Sequence, residues 1–157
     1  MKTLSDAFEH TPQDIYFAEQ ALAKALPNVE EAANGKPLKQ AISSHLEETK
    51  GHIKMLEDVF KSIGKEAKGK KCDAMAGLIK EVEGIAKEAT GTAKNAALIG
   101  ACQAVEHYEI ARYGTLREWA KVLGHSEAHD LLTEILDQEK AANSKLTDLA
   151  VSEINEV

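Results

Sequence analysis

Apolar residues return at spacings of three and four along four long stretches of this chain, and glycines at 35, 64 and 124 punctuate them. That period marks helices with one buried stripe each. The first helix is expected from about Ser5 to Ala33, closing at Asn34 and Gly35, with Pro37 suited to the first turn of the next. Pro12 and Pro27 fall inside this segment and predict a kink or split, with a short lead-in helix before Pro12. The second helix should run from Pro37 to Ile63 and stop at Gly64. After it, "KEAKGKK" has no periodicity and is expected to be a solvated connector.

A shorter amphipathic piece follows from Asp73 to Ala89, with Met75, Leu78, Ile79, Val82 and Ile85 on one face. Another long helix is expected from Thr92 to Leu123, closed by Gly124, and the last starts behind Ser126 and continues toward Ile154. Long, long, connection, long, long is the layout of an all-α, ferritin-like four-helix bundle with a short helix in its one long crossover. The chain's 157 residues suit a single domain with one substantial core.

Composition narrows the partners. Acidic residues outnumber basic ones 26 to 19, for a formal charge of −7, the wrong sign for binding a phosphate backbone, so no nucleic acid is expected. No apolar run approaches the roughly 20 residues that span a bilayer, and acids come too early in "MKTLSDAFEH" for a signal peptide. No membrane association and a cytoplasmic location are expected. Cys72 and Cys102 form neither a C-x-x-C pair nor a disulfide framework, and are expected as a loop-edge thiol and a core thiol.

The interruptions of the apolar stripes carry the chemistry. The first helix presents Phe8, Ile15, Glu19, Leu22, Leu26 and Val29; the second presents Leu38, Ile42, His45, Thr49, His52, Leu56 and Ile63, with Glu48 beside the seam. Glu106 and Glu109 interrupt the helix that follows the crossover, and Glu139 interrupts the last. Counted from Gly35, Glu19 lies 16 residues before and Glu48 13 after; counted from Gly124, Glu106 and Glu109 lie 18 and 15 before and Glu139 15 after. At about 1.5 Å of rise per residue, each hairpin brings its acids to one level. Carboxylates crowded into a low-dielectric core cost several kcal/mol each unless neutralised, and no Lys or Arg occupies those seam positions. A pair of divalent cations would supply the charge, and oxygen ligands mixed with imidazole suit iron or manganese.

The stretches "MKTLSDAF", "DIYFAEQALAKAL", "HLEETKGHI", "KKCDAMAGLI", "VEHYEIARYGTL" and "EKAANSKLTDLA" resemble the YciE/YciF-like stress-protein family of the ferritin-like superfamily, over nearly the whole chain. The resemblance implies a ferritin-like bundle, often a homodimer, linked to stress response, with a di-iron or related centre. Carried over by position, its ligands would be Glu19, Glu48, Glu106, Glu109 and Glu139. The superfamily places histidines three residues after the Glu on helices two and four, where this chain has Gly51 and Ala142. His52, four residues after Glu48, is preferred as the replacement, with His45 the other candidate. Tyr108 and Tyr113 are expected near the carboxylates, His107 at their margin or in an interface, and His10, His125 and His129 at the surface. Chemistry with dioxygen or peroxide is one expectation, and a structural dimeric bundle with a vestigial or loosely occupied metal site is the other.

Overall fold

The computed structural model describes residues 1–155, and every regular element among them is a helix. Helix α1 spans Leu4–Ala32, α2 Lys36–Ser62, α3 Asp73–Glu88, α4 Ala93–Leu123 and α5 Ser126–Leu149, followed by a π-helical turn over Ala150–Ile154. Thr3 caps α1 through its side chain on the Asp6 amide, while the Asp6 carboxylate accepts from the Thr3 amide. Gly124 ends α4 in the left-handed conformation at φ 75°, where a side chain would be strained.

Two boundaries differ from expectation. Helix α1 is continuous through Pro12 and Pro27 instead of splitting at Pro12. A proline inside a helix costs about 3 kcal/mol, and burial on both sides of Pro12, at Phe8, Thr11, Ile15 and Tyr16, offsets it. Helix α5 gives up α-helical pairing at Leu149, short of Ile154, where the chain widens into the π turn.

Helix α1 packs on α2, α2 on α5, α5 on α4 and α4 back on α1, while α3 lies against α1 and α4. The bundle closes because each long helix buries its stripe on two neighbours. The basic connector crosses α1 and is pinned to it: the Lys70 amide donates to the Gln13 carbonyl, and Lys65 pairs with Glu9 at 2.8 Å. Gly69 lies close against α1 there, where a Cβ would sit 3.4 Å from the Phe17 backbone. Within the connector's helix, Met75, Ile79 and Val82 are buried, as their spacing required.

Apolar side chains fill the bundle on both sides of its middle, with Ile15, Leu56, Leu116, Leu132 and Ile135 toward the Gly124 hairpin and Leu26, Val29, Leu38, Ile42 and Leu98 toward the Gly35 hairpin. Between them lies a polar layer. No helix among the described residues is long and apolar enough to cross a membrane.

Candidate metal centre

The polar layer contains Glu19, His45, Thr49, His52, Glu106, Glu109 and Glu139, all buried. Their side chains fall into two groups that share one residue: His45, Glu106, Glu109 and Glu139 form one, and Glu19, His52 and Glu139 the other. Within each group every residue offers one ligand atom, and these atoms lie within 4.8 Å of one another. Either buried group could hold a metal ion. Glu139 stands between them, with His52 Nδ1 3.0 Å from its Oε1 and 3.4 Å from Glu19 Oε1.

Helix geometry explains which residues of α2 enter the layer. At about 100° per residue, His45, Thr49 and His52 fall within about 60° of one another and face the bundle axis. Glu48 lies about 60° to one side of His45, and its side chain is 36% exposed. It therefore falls outside both groups and contacts the centre through His45, whose Nδ1 is 3.5 Å from Glu48 Oε2 and whose Nε2 is 3.1 Å from Glu106 Oε1. The other expected residues, Glu19, His52, Glu106, Glu109 and Glu139, are brought together.

The buried polar atoms do not satisfy one another. Both oxygens of Glu109 and of Glu139, one oxygen each of Glu19 and Glu106, Nδ1 of His52 and both ring nitrogens of His45 lack a hydrogen-bond partner. The His52 to Glu139 and His45 to Glu106 pairs are close, but they are not aligned as hydrogen bonds. An uncompensated buried carboxylate costs several kcal/mol. Ligand atoms that crowd without bonding each other are what a set of donors around a cation requires, so these residues fit a metal centre.

Titration behaviour reflects the same crowding. Burial pushes Glu106 and Glu109 well above the usual carboxylate range, with the neighbouring carboxylates adding to the shift of each. Burial also raises Glu19, against the opposing pull of His52. Burial opposes charge on His52 as well, yet Glu139 and Glu19 carry it up to about 11. For His45 the same contest, with Glu48 and Glu106 as partners, ends at about 9. Glu139 moves down, because the two histidines outweigh its burial.

Three neighbours orient the cluster. The Gln138 side-chain oxygen accepts from His52 Nε2 at 2.9 Å, and its amide nitrogen donates to Glu134 Oε1 at 3.4 Å. That bond commits Nε2–H to Gln138 and leaves Nδ1 facing the carboxylates, with a proton in the metal-free protein and free to ligate once that proton is shed. Tyr113, fully buried, donates its hydroxyl to Glu19 Oε1, and burial keeps the phenol protonated. Glu48 stands 3.5 Å from His45 Nδ1 as an ion pair, without the aligned hydrogen bond that Gln138 makes to His52. Gln138 carries no signal in the sequence, since it sits beside the seam and reaches the centre only through His52.

The remaining expectations sort by position. Tyr108 does not reach the carboxylates: its hydroxyl meets Cys72 Sγ at 2.9 Å, and the Arg112 guanidinium lies 5.1 Å from its ring centre. Cys72 is accordingly buried although it lies at the edge of the connector. His107 bonds the Gln103 carbonyl at 2.7 Å on an exposed face. His10 pairs with Asp14 at 3.6 Å, and His125 stacks on Phe8 at 5.4 Å.

Comparison with known proteins agrees with this architecture. The chain is 46% identical to protein YciF of Escherichia coli (strain K12) over 157 residues, covering 99% of this chain and 95% of that one. The crystal structure of the E. coli stress protein YciF superposes with a TM-score of 0.95 at 44% identity, covering 100% of both chains. YcfI of Rhodopseudomonas palustris superposes with a TM-score of 0.89 at 48% identity, over 93% of this chain and 94% of that one. A protein of Xanthomonas campestris pv. campestris shares the fold at 21% identity, with a TM-score of 0.76 over 96% of this chain and 93% of that one. The family model described as domain of unknown function DUF892 matches residues 3–157, and the chain belongs to that family.

Proposed function

We propose that this chain is a di-metal carboxylate protein that holds two iron or manganese ions, one on His45, Glu106 and Glu109 and one on Glu19 and His52, with Glu139 shared. The carrying observation is the pair of buried donor groups joined at Glu139, with their donor atoms left unbonded to each other. When bound, such ions supply Lewis acidity and one-electron chemistry toward dioxygen or peroxide.

The chain's own residues then have separable tasks. Gln138 fixes the tautomer that presents His52 Nδ1, Glu48 turns His45 Nε2 inward, and Tyr113 holds a proton against Glu19. The apolar layers above and below exclude bulk water from the centre. Similarity to a relative described as a stress protein supports a place in stress response, and the homodimer implied by the family resemblance belongs to the same reading.

Protein purified without chelator and loaded with Fe(II) or Mn(II) should carry about two ions per chain by elemental analysis. A chain that stays metal-free after loading with either ion would sink the proposal and favour a structural bundle.

A further inference from the structure

Thr49 sits in the polar layer without a place in either donor group. It is fully buried, and its hydroxyl has no hydrogen-bond partner. A threonine inside a helix has a ready acceptor in the carbonyl four residues back. Thr115, Thr133 and Thr147 of this chain all use it, donating to the carbonyls of Ala111, His129 and Asn143 at 2.9, 2.7 and 3.2 Å. Thr49 does not, and the His45 carbonyl leaves its hydroxyl unpaired. A buried hydroxyl without a partner is destabilising.

Position shows which space that hydroxyl serves. At about 1.5 Å and 100° per residue, Thr49 lies about 6 Å along α2 from His45 and about 4.5 Å from His52, within about 60° of both. His45 belongs to one donor group and His52 to the other. Thr49 therefore stands on the inward face of α2 at the junction of the two groups, where α5, packed on α2, brings the shared Glu139.

Coordination and charge define the missing acceptor. His45, Glu106, Glu109 and Glu139 offer four ligand atoms, and Glu19, His52 and Glu139 only three, whereas iron and manganese hold up to about six donors. Open positions are thus most numerous on the His52 side. The carboxylates of Glu19, Glu106, Glu109 and Glu139 balance two divalent ions beside neutral imidazoles, but two trivalent ions leave positive charge uncovered. In a dry interior that charge draws an anion. Apolar layers close the centre above and below, which limits the anion to a few atoms.

We infer that Thr49 is the hydrogen-bond donor to a small monoanion, of the class of hydroxide and azide, that fills the open positions of the oxidised centre. The inference deepens the di-metal reading and rests on it.

Azide is the probe. Full-length protein loaded with Fe(II), oxidised with ferricyanide and desalted is titrated with sodium azide, followed by the visible absorption that azide gives with Fe(III). Elemental analysis counts the iron in every sample. The parent should bind azide saturably. Thr49→Val keeps the shape without the hydroxyl and should weaken azide at least about tenfold with its iron content unchanged, while Thr49→Ser should stay within about threefold of the parent. The infrared stretch of bound azide should shift on transfer to heavy water in the parent and not in Thr49→Val. In the metal-free protein, Thr49→Val should not lower the melting temperature, because no partner is lost. If Thr49→Val fails to fold, Thr49→Ala takes its place in the azide titration. Equal azide affinity with and without the hydroxyl, no azide binding by iron-loaded parent, or a lower melting temperature in metal-free Thr49→Val would overturn the role of Thr49 and leave the di-metal reading standing. A parent that takes up no iron would overturn both.

Discussion

His52 Nδ1 lies 3.0 Å from Glu139 Oε1 inside the bundle, while the other nitrogen of the same ring is held by Gln138. With Nε2 committed to an acceptor, Nδ1 faces two carboxylates and must carry either a proton or a metal ion. Much of the behaviour expected of this protein follows from that choice.

Glu139 is the only residue common to both donor groups among the described residues. Glu139→Ala should therefore weaken both ions, leaving fewer than about one per chain by elemental analysis. Glu48→Ala, outside both groups, should keep two ions and lower affinity only about 10–100-fold, as expected for a residue that orients a ligand. Equal losses in the two variants would contradict the assignment.

Gln138→Leu removes the acceptor on His52 Nε2. Metal affinity at the Glu19 and His52 side should fall about 10–100-fold while the other side is preserved, giving two separated steps in a calorimetric titration. A single unchanged isotherm would show that Gln138 has no orienting part.

Tyr113→Phe leaves Glu19 Oε1 without its donor in a fully buried position. The metal-free protein should lose about 1–3 kcal/mol, measured by urea unfolding. An unchanged midpoint would mean that the hydroxyl contributes nothing to holding Glu19.

The metal-free protein should become less stable as pH rises from about 5.5 to about 8.5. Glu106 and Glu109, raised by burial, favour the folded state fully below their ordinary value of 4.5, and that contribution is lost as pH climbs through their folded-state values. His52 and His45 favour it fully below 6.5, and their contribution fades as pH rises toward about 11 and about 9. All four slopes share one sign, so the melting temperature should drop by at least about 2–4 °C across that window. Metal-loaded protein should show the opposite trend in its gain from metal, because the ligands must shed protons to bind. A metal-free melting temperature that rises with pH would contradict this account.

The helices and the level of the acids were legible in the sequence because both depend on local geometry. A rise of 1.5 Å and a turn of 100° per residue turn spacing into height and direction, so Glu19, Glu106, Glu109 and Glu139 could be placed at one level by counting from Gly35 and Gly124. The polar run His45, Thr49, His52 within an otherwise apolar stripe belonged to the same signal. What counting could not decide was which side chain crosses the last few ångströms. Glu48 has the right height and yet lies about 60° off the axis, where packing of α2 on α5 leaves it at the edge and gives its place to His45. Pro12 illustrates the same limit, since its local preference to break α1 is overridden by burial that only the assembled bundle supplies. Local geometry therefore set the elements and the level of the centre. The tertiary structure chose the inward-facing residues, because facing inward is a relation between helices and not a property of any one of them.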